Sequence, residues 1–222
     1  MARKKPYDDG CATAHALDLI GERWGLLIVR ELVPGPARFS DLKAALPGIS
    51  SNILTTRLTE MEAGHVLTRR RLPPPAASQV YELTRWGAEL EPLIRNLGRW
   101  AARSPTMQPG KPMSAASLML SFRTMFDAEA AHGFNARLAI TLGERAHVAT
   151  VADGSFEIVP GDTNEADAAI SGDPNLLAGF VYGDLSLDDA IERGLLISGD
   201  RAKIERFATL FPLPDRAPCT AT

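Results

Sequence analysis

Apolar side chains recur mainly at helical spacing in the first half of this chain, and short runs with alternating apolar residues become common in the second half. In the first half they follow one another at intervals of three and four residues, which is the period of an amphipathic helix. Helices are predicted over Ala12–Ile20, around Trp24–Leu32, from Ser40 to Leu46, from Ser50 or Ser51 to Gly64, and from Thr84 to about Arg103. Two strand-like runs interrupt this series, Val66–Leu72 and Gln79–Leu83.

The helix that begins near Ser50 has two chemically different sides. Its apolar stripe consists of Leu54, Leu58 and Met61. Its polar side carries Asn52, Thr55, Thr56 and Thr59. Small uncharged groups of this kind can hydrogen-bond base edges in a major groove, although threonines on a polar helix face are more often only solvated. The Pro47-Gly48 turn separates this helix from the preceding one, which Ser40 is predicted to cap. Gly64 is predicted to end the helix that begins near Ser50.

Three consecutive arginines, Arg69, Arg70 and Arg71, stand at the end of the first strand-like run. The prolines at 73–75 cannot donate backbone hydrogen bonds, so they predict a stiff turn and a hairpin tip, or wing, at residues 73–78. An arginine cluster alone is usually an exposed charged surface. After a helix pair with a Pro-Gly turn, a basic hairpin indicates a winged helix-turn-helix protein that binds DNA. A basic arm at residues 1–10, with Arg3, Lys4 and Lys5, is predicted to be mobile and to contact phosphates.

The helix predicted from Thr84 carries more apolar side chains than one small domain can bury. Leu93, Leu97 and Trp100 recur at near-helical spacing along it. We expect these three residues, together with the first helix, to pack against a second copy of the chain. The sequence therefore predicts a homodimer.

Residues 105–114 contain prolines and a glycine with little to bury, and they are predicted to link a domain at 11–104 to a second domain at 115–215. Helices in the second domain are predicted over Ala115–Ala131, Pro174–Tyr182, Leu187–Arg193 and Arg201–Leu210. Strands are predicted over Ala136–Leu142, His147–Ala152, Phe156–Pro160, Ala166–Ile170 and Leu195–Ser198. The expected fold class is α+β, with the helices packed on one mixed or antiparallel sheet.

The charge of the chain is unevenly distributed. The formal net charge of the 222 residues is −3. Residues 1–110 hold 15 Lys and Arg against 11 Asp and Glu, whereas residues 111–222 hold 9 against 16. Phosphates would be attracted to the first half and repelled by the second. No apolar run is long enough for a membrane span, so a cytoplasmic protein is expected.

Candidate catalytic chemistry is sparse. The four histidines, His15, His65, His132 and His147, have no metal-ligand spacing, and no metal or cofactor is predicted. Gly-x-Ser-x-Gly, His-Glu-x-x-His and phosphate-binding glycine motifs are missing from the sequence. The protein is therefore not predicted to be an enzyme.

The first half resembles the HxlR-type group of bacterial winged-helix regulators over residues 11–103. The matching residues are Cys11, Leu17–Gly21, Trp24, Arg38-Phe39, Asp41-Leu42, Pro47–Ser50, Leu54, Arg57, Leu58, Tyr81, Leu83-Thr84, Gly87 and Trp100. The resemblance implies a homodimeric transcription factor on a pseudo-palindromic duplex, with the helix from Ser50 in the major groove and the wing along the backbone. The residues expected to contact DNA are Arg38, Ser51, Asn52, Thr55, Thr56, Arg57, Arg69, Arg70 and Arg71.

Cys11 stands where some members of this group carry a cysteine that senses oxidants and others a structural one. A sensor needs a lowered thiol pKa and access from solvent. The neighbours Asp8 and Asp9 are expected to raise the pKa of Cys11, which favours the structural role. Cys219 lies near the other end of the chain, so a disulfide framework is not expected.

The second half is similar to sterol carrier protein type 2, on the segments Ala166–Asp173, Gly183–Leu185 and Leu196–Asp200. This similarity implies an apolar tunnel between sheet and helices, and a fatty-acyl or sterol-like ligand. The residues expected to line it are Leu118, Phe122, Met125, Phe126, Leu177, Phe180, Val181 and Tyr182. Two alternatives stay open: a packed domain used for dimerisation, and a lipid-carrier or enzymatic domain that the DNA-binding half only localises.

Overall fold

The computed structural model describes residues 6–74, 77–108 and 110–218. The chain forms two compact units, Met1–Ile94 and Arg95–Thr222. Three predicted features fall outside the described residues: the arginine and lysines of the basic arm, Pro75 and Ala76 of the wing tip, and Cys219.

The first unit is a winged helix-turn-helix fold. Its elements are α1 (Ala12–Ile20), α2 (Gly25–Leu32), α3 (Phe39–Ala45), α4 (Ser51–Ala63), β1 (Leu67–Arg71), β2 (Gln79–Leu83), α5 (Arg85–Ala88) and the start of α6 (Leu90–Ala102). The apolar stripe of α4 packs in one core with Ile28, Val29 and Leu32 of α2. Ser50 caps α4 by accepting a hydrogen bond from the N–H of Ile53 at 3.2 Å, so the helix begins where its sequence predicts.

Ser40 does not cap α3, contrary to the prediction. The helix begins at Phe39, and the backbone N–H of Arg38 donates to the Asp41 carboxylate at 3.0 Å. Because Asp41 already bonds the backbone at the start of α3, Ser40 lies within the first turn. Gly64 ends α4 as predicted, but the left-handed residue after it is His65, with φ of 58°.

The wing is an antiparallel hairpin in which Arg70 of β1 stands opposite Val80 of β2. Ala37 and Tyr81 exchange backbone hydrogen bonds of 3.0 and 2.9 Å. These bonds fasten the hairpin to the chain that leads into α3.

The helix predicted from Thr84 to Arg103 is divided into α5 and α6 between Ala88 and Leu90. Pro92 accounts for the break, because it has no N–H to donate to the carbonyl four residues earlier, at Ala88. Proline is tolerated in a first turn, which is the position that Pro92 holds in α6.

The second unit confirms the expected α+β class with a mixed sheet. Its remaining elements are α7 (Ala115–Met125), β3 (Ala136–Leu142), β4 (Arg145–Ala152), β5 (Ser155–Pro160), β6 (Ala168–Gly172), α8 (Pro174–Tyr182), α9 (Leu187–Glu192), β7 (Leu196–Gly199) and α10 (Arg201–Ala208). The strand order is β5-β4-β3-β6-β7, with β3 and β6 parallel and the other pairs antiparallel. Alternate residues of the strands, such as Leu138 and Ile140, join the helices in one core.

Helix α7 ends at Met125, earlier than the predicted Ala131. The Asp127 carboxylate accepts hydrogen bonds from the N–H groups of Glu129 and Ala130 at 2.9 and 3.2 Å, which begins a separate turn. The guanidinium groups of Arg95 and Arg99 donate to carbonyls in the last turn of α7. Cations at this end of a helix are stabilised by the helix dipole.

The predicted linker at 105–114 does not lie at the division between the two units, which falls after Ile94. Arg216 Nη1 donates to the carbonyl oxygens of Ser104, Pro105 and Met107 at 3.1–3.2 Å. The N–H of Ala217 donates to the carbonyl of Arg103 at 2.7 Å. These long-range bonds hold the start of the segment within the second unit.

Candidate nucleic-acid interface

The first two turns of α4 present four of the residues predicted to contact DNA. Ser51, Asn52 and Thr55 are exposed and Thr56 is half-buried. Leu54, Leu58 and Met61 are almost completely buried on the opposite side. The helix therefore turns its polar side away from the core, as its pattern predicts.

The threonine hydroxyls of α4 are bonded to the helix itself. Thr55, Thr56 and Thr59 each donate to the carbonyl four residues earlier, at 2.9 Å. A hydroxyl has one proton and two acceptor sites. In this arrangement the exposed side chains of Thr55 and Thr59 offer a partner an acceptor oxygen and a methyl group.

Arg57 is the one basic residue of α4, and its guanidinium is held by acids. Nη1 lies 2.6 Å from Glu60 Oε2 and 3.9 Å from Glu22 Oε2, and 21% of the side chain is exposed. The structure therefore separates Arg57 from the exposed polar residues with which it was grouped.

The three wing arginines do not share one surface. Neighbouring strand residues point to opposite faces, so Arg69 and Arg71 lie on one face of the hairpin and Arg70 on the other. Arg70 Nε is 2.7 Å from Glu82 Oε1, and Arg69 Nε is 3.7 Å from Glu62 Oε1. Arg71 Nε donates to the carbonyl of Ala77. All three are exposed, and Arg69 has the loosest ion pair.

Arg38 connects the start of α3 to the wing. Its Nε donates to Ser78 Oγ at 3.0 Å, and the residue is exposed. Arg38 is therefore brought to the hairpin, forty residues further along the chain, by the Ala37–Tyr81 pairing described above.

Ile53 was not among the predicted contact residues, yet 41% of it is exposed on the first turn of α4. Its position at 100° per residue lies outside the stripe formed by Leu54, Leu58 and Met61. The sequence could have indicated the exposure of Ile53, because this apolar residue lies beside the apolar stripe and not within it.

Cys11 corrects the prediction made from its acidic neighbours. It is exposed at the N-cap of α1, and its thiol pKa is lowered. The largest cause is a hydrogen bond from the backbone N–H of Thr13, followed by the Thr13 hydroxyl and the N–H of Ala14. These N–H groups have no partner within a helix and therefore stabilise a thiolate. The Asp9 carboxylate accepts a hydrogen bond from the backbone N–H of Cys11 at 2.9 Å.

The predicted dimer surface on α6 is exposed in the single chain. Leu93, Leu97 and Trp100 are 61%, 46% and 73% exposed. Leu17 of α1, the other helix predicted to join this surface, is also exposed. Among the described residues, both α1 and α6 therefore carry large apolar side chains that are exposed.

The eight predicted ligand-lining residues divide into two groups in the second unit. Leu118, Phe122, Met125 and Leu177 are buried, whereas Phe126, Phe180, Val181 and Tyr182 are half-buried. Phe122 stacks on Phe211 with ring centroids 4.6 Å apart and meets Phe207 edge-on at 5.7 Å. The ring of Phe122 is thus packed against residues that the prediction did not include, and the half-buried residues form the more accessible part of the set.

Two further properties bear on function. Within residues 6–74, 77–108 and 110–218, no cluster of three or more His, Cys, Asp or Glu side chains is arranged to hold a metal ion. In the same ranges, the helices lack the combined length and apolar character needed to cross a bilayer.

Comparison with known proteins shows similarity in the first part of the chain. The model of a family described as HxlR-like helix-turn-helix matches residues 19–108. The uncharacterized HTH-type transcriptional regulator YvaP of Bacillus subtilis is 38% identical over 86 residues, covering 39% of this chain and 80% of YvaP. The HTH-type transcriptional regulator YodB of the same organism is 35% identical over 86 residues, covering 39% of this chain and 77% of YodB.

Two solved structures are similar to part of this chain. The reduced form of YodB is 32% identical, covers 46% of this chain and all of the YodB chain, and has a TM-score of 0.39. The redox regulator HypR in its oxidized form is 27% identical, covers 44% of this chain and all of the HypR chain, and has a TM-score of 0.41.

Proposed function

This chain belongs to the HxlR-like helix-turn-helix family of transcriptional regulators, and from that premise we propose that it binds a pseudo-palindromic DNA duplex as a homodimer. The observation that carries the proposal is the exposed polar surface on the first two turns of α4. Glu62 in the last turn of α4 lies 3.7 Å from Arg69, so the basic wing begins beside this helix. A helix in the major groove with a wing on the adjacent phosphates fits this arrangement.

Dimerisation through α6 and α1 is supported by the exposed side chains of Leu93, Leu97 and Trp100. Monomeric proteins seldom leave several large apolar residues exposed on one helix. A homodimer carries two copies of α4, which matches the two half-sites of a pseudo-palindromic duplex.

Binding to duplexes separates sequence recognition from phosphate contact. In a fluorescence anisotropy titration, Asn52→Ala should weaken binding to a duplex selected from a random library by about tenfold or more, because a base contact is lost. The same change should leave binding to a scrambled duplex unaltered. Arg69→Ala should weaken both duplexes to a similar extent, because phosphates are shared by all sequences. Equal affinity of the unchanged protein for the selected and scrambled duplexes would contradict the proposal.

The second unit is proposed to be a sterol-carrier-like effector domain that binds a fatty-acyl or sterol-like molecule. The half-buried residues Phe126, Phe180, Val181 and Tyr182 support this role, since they offer adaptable apolar surface beside the packed core. A ligand there would change DNA binding only if it favoured one arrangement of the dimer over another.

Native mass spectrometry and uptake of a fluorescent fatty acid test this second part. Val181→Trp should reduce uptake by filling the proposed site, whereas Val159→Trp, at an exposed valine of β5, serves as the matched control. Uptake that changes operator affinity supports an effector domain. Ligand turnover that is independent of DNA would favour a carrier or enzymatic domain.

A further inference from the structure

The threonines of α4 offer a base edge fewer hydrogen-bond donors than the sequence suggests. The hydroxyl protons of Thr55 and Thr59 are donated to the helix backbone, so these side chains present oxygen acceptors and methyl groups. Guanine shows only acceptors, N7 and O6, in the major groove. Threonines in this arrangement therefore have no donor for guanine, but their oxygens suit the adenine or cytosine amino group.

The usual protein partner of guanine is an arginine or lysine that bonds O6 and N7 together. Arg57 is the one residue of α4 with such a side chain. Its guanidinium is bound by Glu60 at 2.6 Å and lies 3.9 Å from Glu22. To contact guanine, Arg57 would have to break its ion pairs with these acids, which offset the charge of its guanidinium.

Two exposed neighbours on the first turn suit the other base pair. The side chain of Asn52 can bond adenine N6 and N7 together through its carbonyl oxygen and amide. Ile53 is 41% exposed and branched, and an apolar side chain in a major groove meets the C5-methyl group of thymine. A single exposed isoleucine is ordinary on a protein surface, but this one stands beside the asparagine on the helix proposed to enter the groove.

We propose that α4 recognises A·T base pairs, with Asn52 binding adenine and Ile53 packing on the methyl group of thymine. The inference rests on the proposed function, since it assumes that α4 enters the major groove. It assigns Ile53 as a residue that determines sequence specificity. It also predicts that the half-site contains A·T base pairs where it faces α4.

Selection from a random duplex library, followed by replacement of single thymines with deoxyuridine, tests the proposal. Deoxyuridine keeps the base pair and removes only the methyl group. At one thymine in each half-site the replacement should weaken binding of the full-length protein by about fifteenfold, because each of the two methyl groups that the dimer buries contributes about fourfold. Ile53→Ala should bind the thymine and deoxyuridine duplexes equally, whereas Ile53→Val should retain the difference. Because Ile53 is exposed, these changes leave the core of the first unit intact.

The outcomes separate this inference from the function on which it rests. Selected half-sites with A·T pairs, and a deoxyuridine effect that disappears with Ile53→Ala, support the inference. Sequence-selective binding to half-sites with G·C pairs at the positions facing α4, or no thymine sensitive to Ile53, overturns the inference and leaves the proposed function standing. Failure to prefer any duplex over another overturns both.

Discussion

At the scale of single residues, the hydrogen bonds and the burial of a side chain decide its pKa more than the number of nearby acidic residues does. Cys11 has two aspartates close by in sequence, yet its thiol pKa is lowered because backbone N–H groups at the start of α1 point to the sulfur. The pKa of His147 on β4 is also lowered, but there the environment disfavours the charged form. Burial lowers its pKa, and the nearby charges of Arg145 and Arg123 act in the same direction.

The lowered pKa of Cys11 predicts a reactive thiol. In a Cys219→Ala background, alkylation by iodoacetamide should reach half its maximal rate at a lower pH than for free cysteine, because the thiolate is the reacting species. Thr13→Val removes the hydroxyl hydrogen bond and should move this midpoint upward. A midpoint at or above that of free cysteine would contradict the assignment of the helix N-terminus as the cause.

His147 predicts a loss of stability on acidification. Its pKa in the folded protein lies below the unfolded value of about 6.5, so the unfolded chain binds the proton more readily. The stability that neutral His147 contributes is therefore complete above about pH 6.5 and is lost as the pH falls through the folded pKa, by at most about 1.4 kcal/mol for each pH unit.

Urea denaturation of the unchanged protein and of His147→Gln, at several values between pH 8 and 5, measures this loss. Carboxylates contribute equally to both proteins, so the difference in pH dependence isolates His147. Parallel stability curves for the two proteins would show that the histidine does not contribute.

At the scale of elements, α6 combines two surfaces with different partners. Arg95 and Arg99 bond the last turn of α7, whereas Leu97 and Trp100 are exposed and lie on a roughly opposite side at 100° per residue. A helix with an exposed apolar side of this kind needs a further partner, and a second copy of the chain fits that need.

Trp100→Glu is expected to dissociate the proposed dimer. The change would place a carboxylate without a partner in the interface, which costs roughly 3 kcal/mol or more and raises the dissociation constant by over about a hundredfold. Sedimentation equilibrium at micromolar concentration measures the effect. Leu196→Glu, at a leucine that is 66% exposed on β7, is the control and should remain dimeric. A fully dimeric Trp100→Glu protein would place the interface elsewhere.

At the scale of the whole molecule, charge distinguishes the two halves of the chain. The half that contains the winged helix carries the excess of basic residues, and the acidic half contains the proposed effector domain. Several basic side chains of the wing are exposed, although acids offset part of their charge. Phosphate contact should therefore be confined to the first unit and should depend on salt.

The affinity for DNA should fall steeply with salt, with a log–log slope of roughly −4 to −8, because each neutralised phosphate contributes about −0.9. Arg69→Ala removes one charge from each protomer and should reduce the slope by roughly 1.8 in a dimer. Arg201→Ala, at an exposed arginine of α10, should leave the slope unchanged. A response to salt that is flat in the unchanged protein would exclude an electrostatic interface.

The sequence by itself determined the features that depend on near neighbours. The bounds of α1, β3 and α8 agree with the prediction, because three-to-four-residue and two-residue periods reflect which side of one element is buried. The start of α4 at Ser51 is one of the two that the sequence predicted, and the Ser50 hydroxyl that caps it bonds an N–H only three residues away. The polar side of α4, with Asn52 and its threonines, followed from the same period.

The tertiary structure alone decided which groups meet across long stretches of chain. Arg57 meets Glu22, Phe122 meets Phe211, and Arg216 holds Ser104, all through partners that no local pattern identifies. These contacts tie the Arg57 guanidinium to acids and connect the predicted linker to a segment over a hundred residues away. Ion pairs, ring packing and long-range hydrogen bonds depend on how the elements are arranged in space, whereas periodicity and capping depend only on the residues within one element.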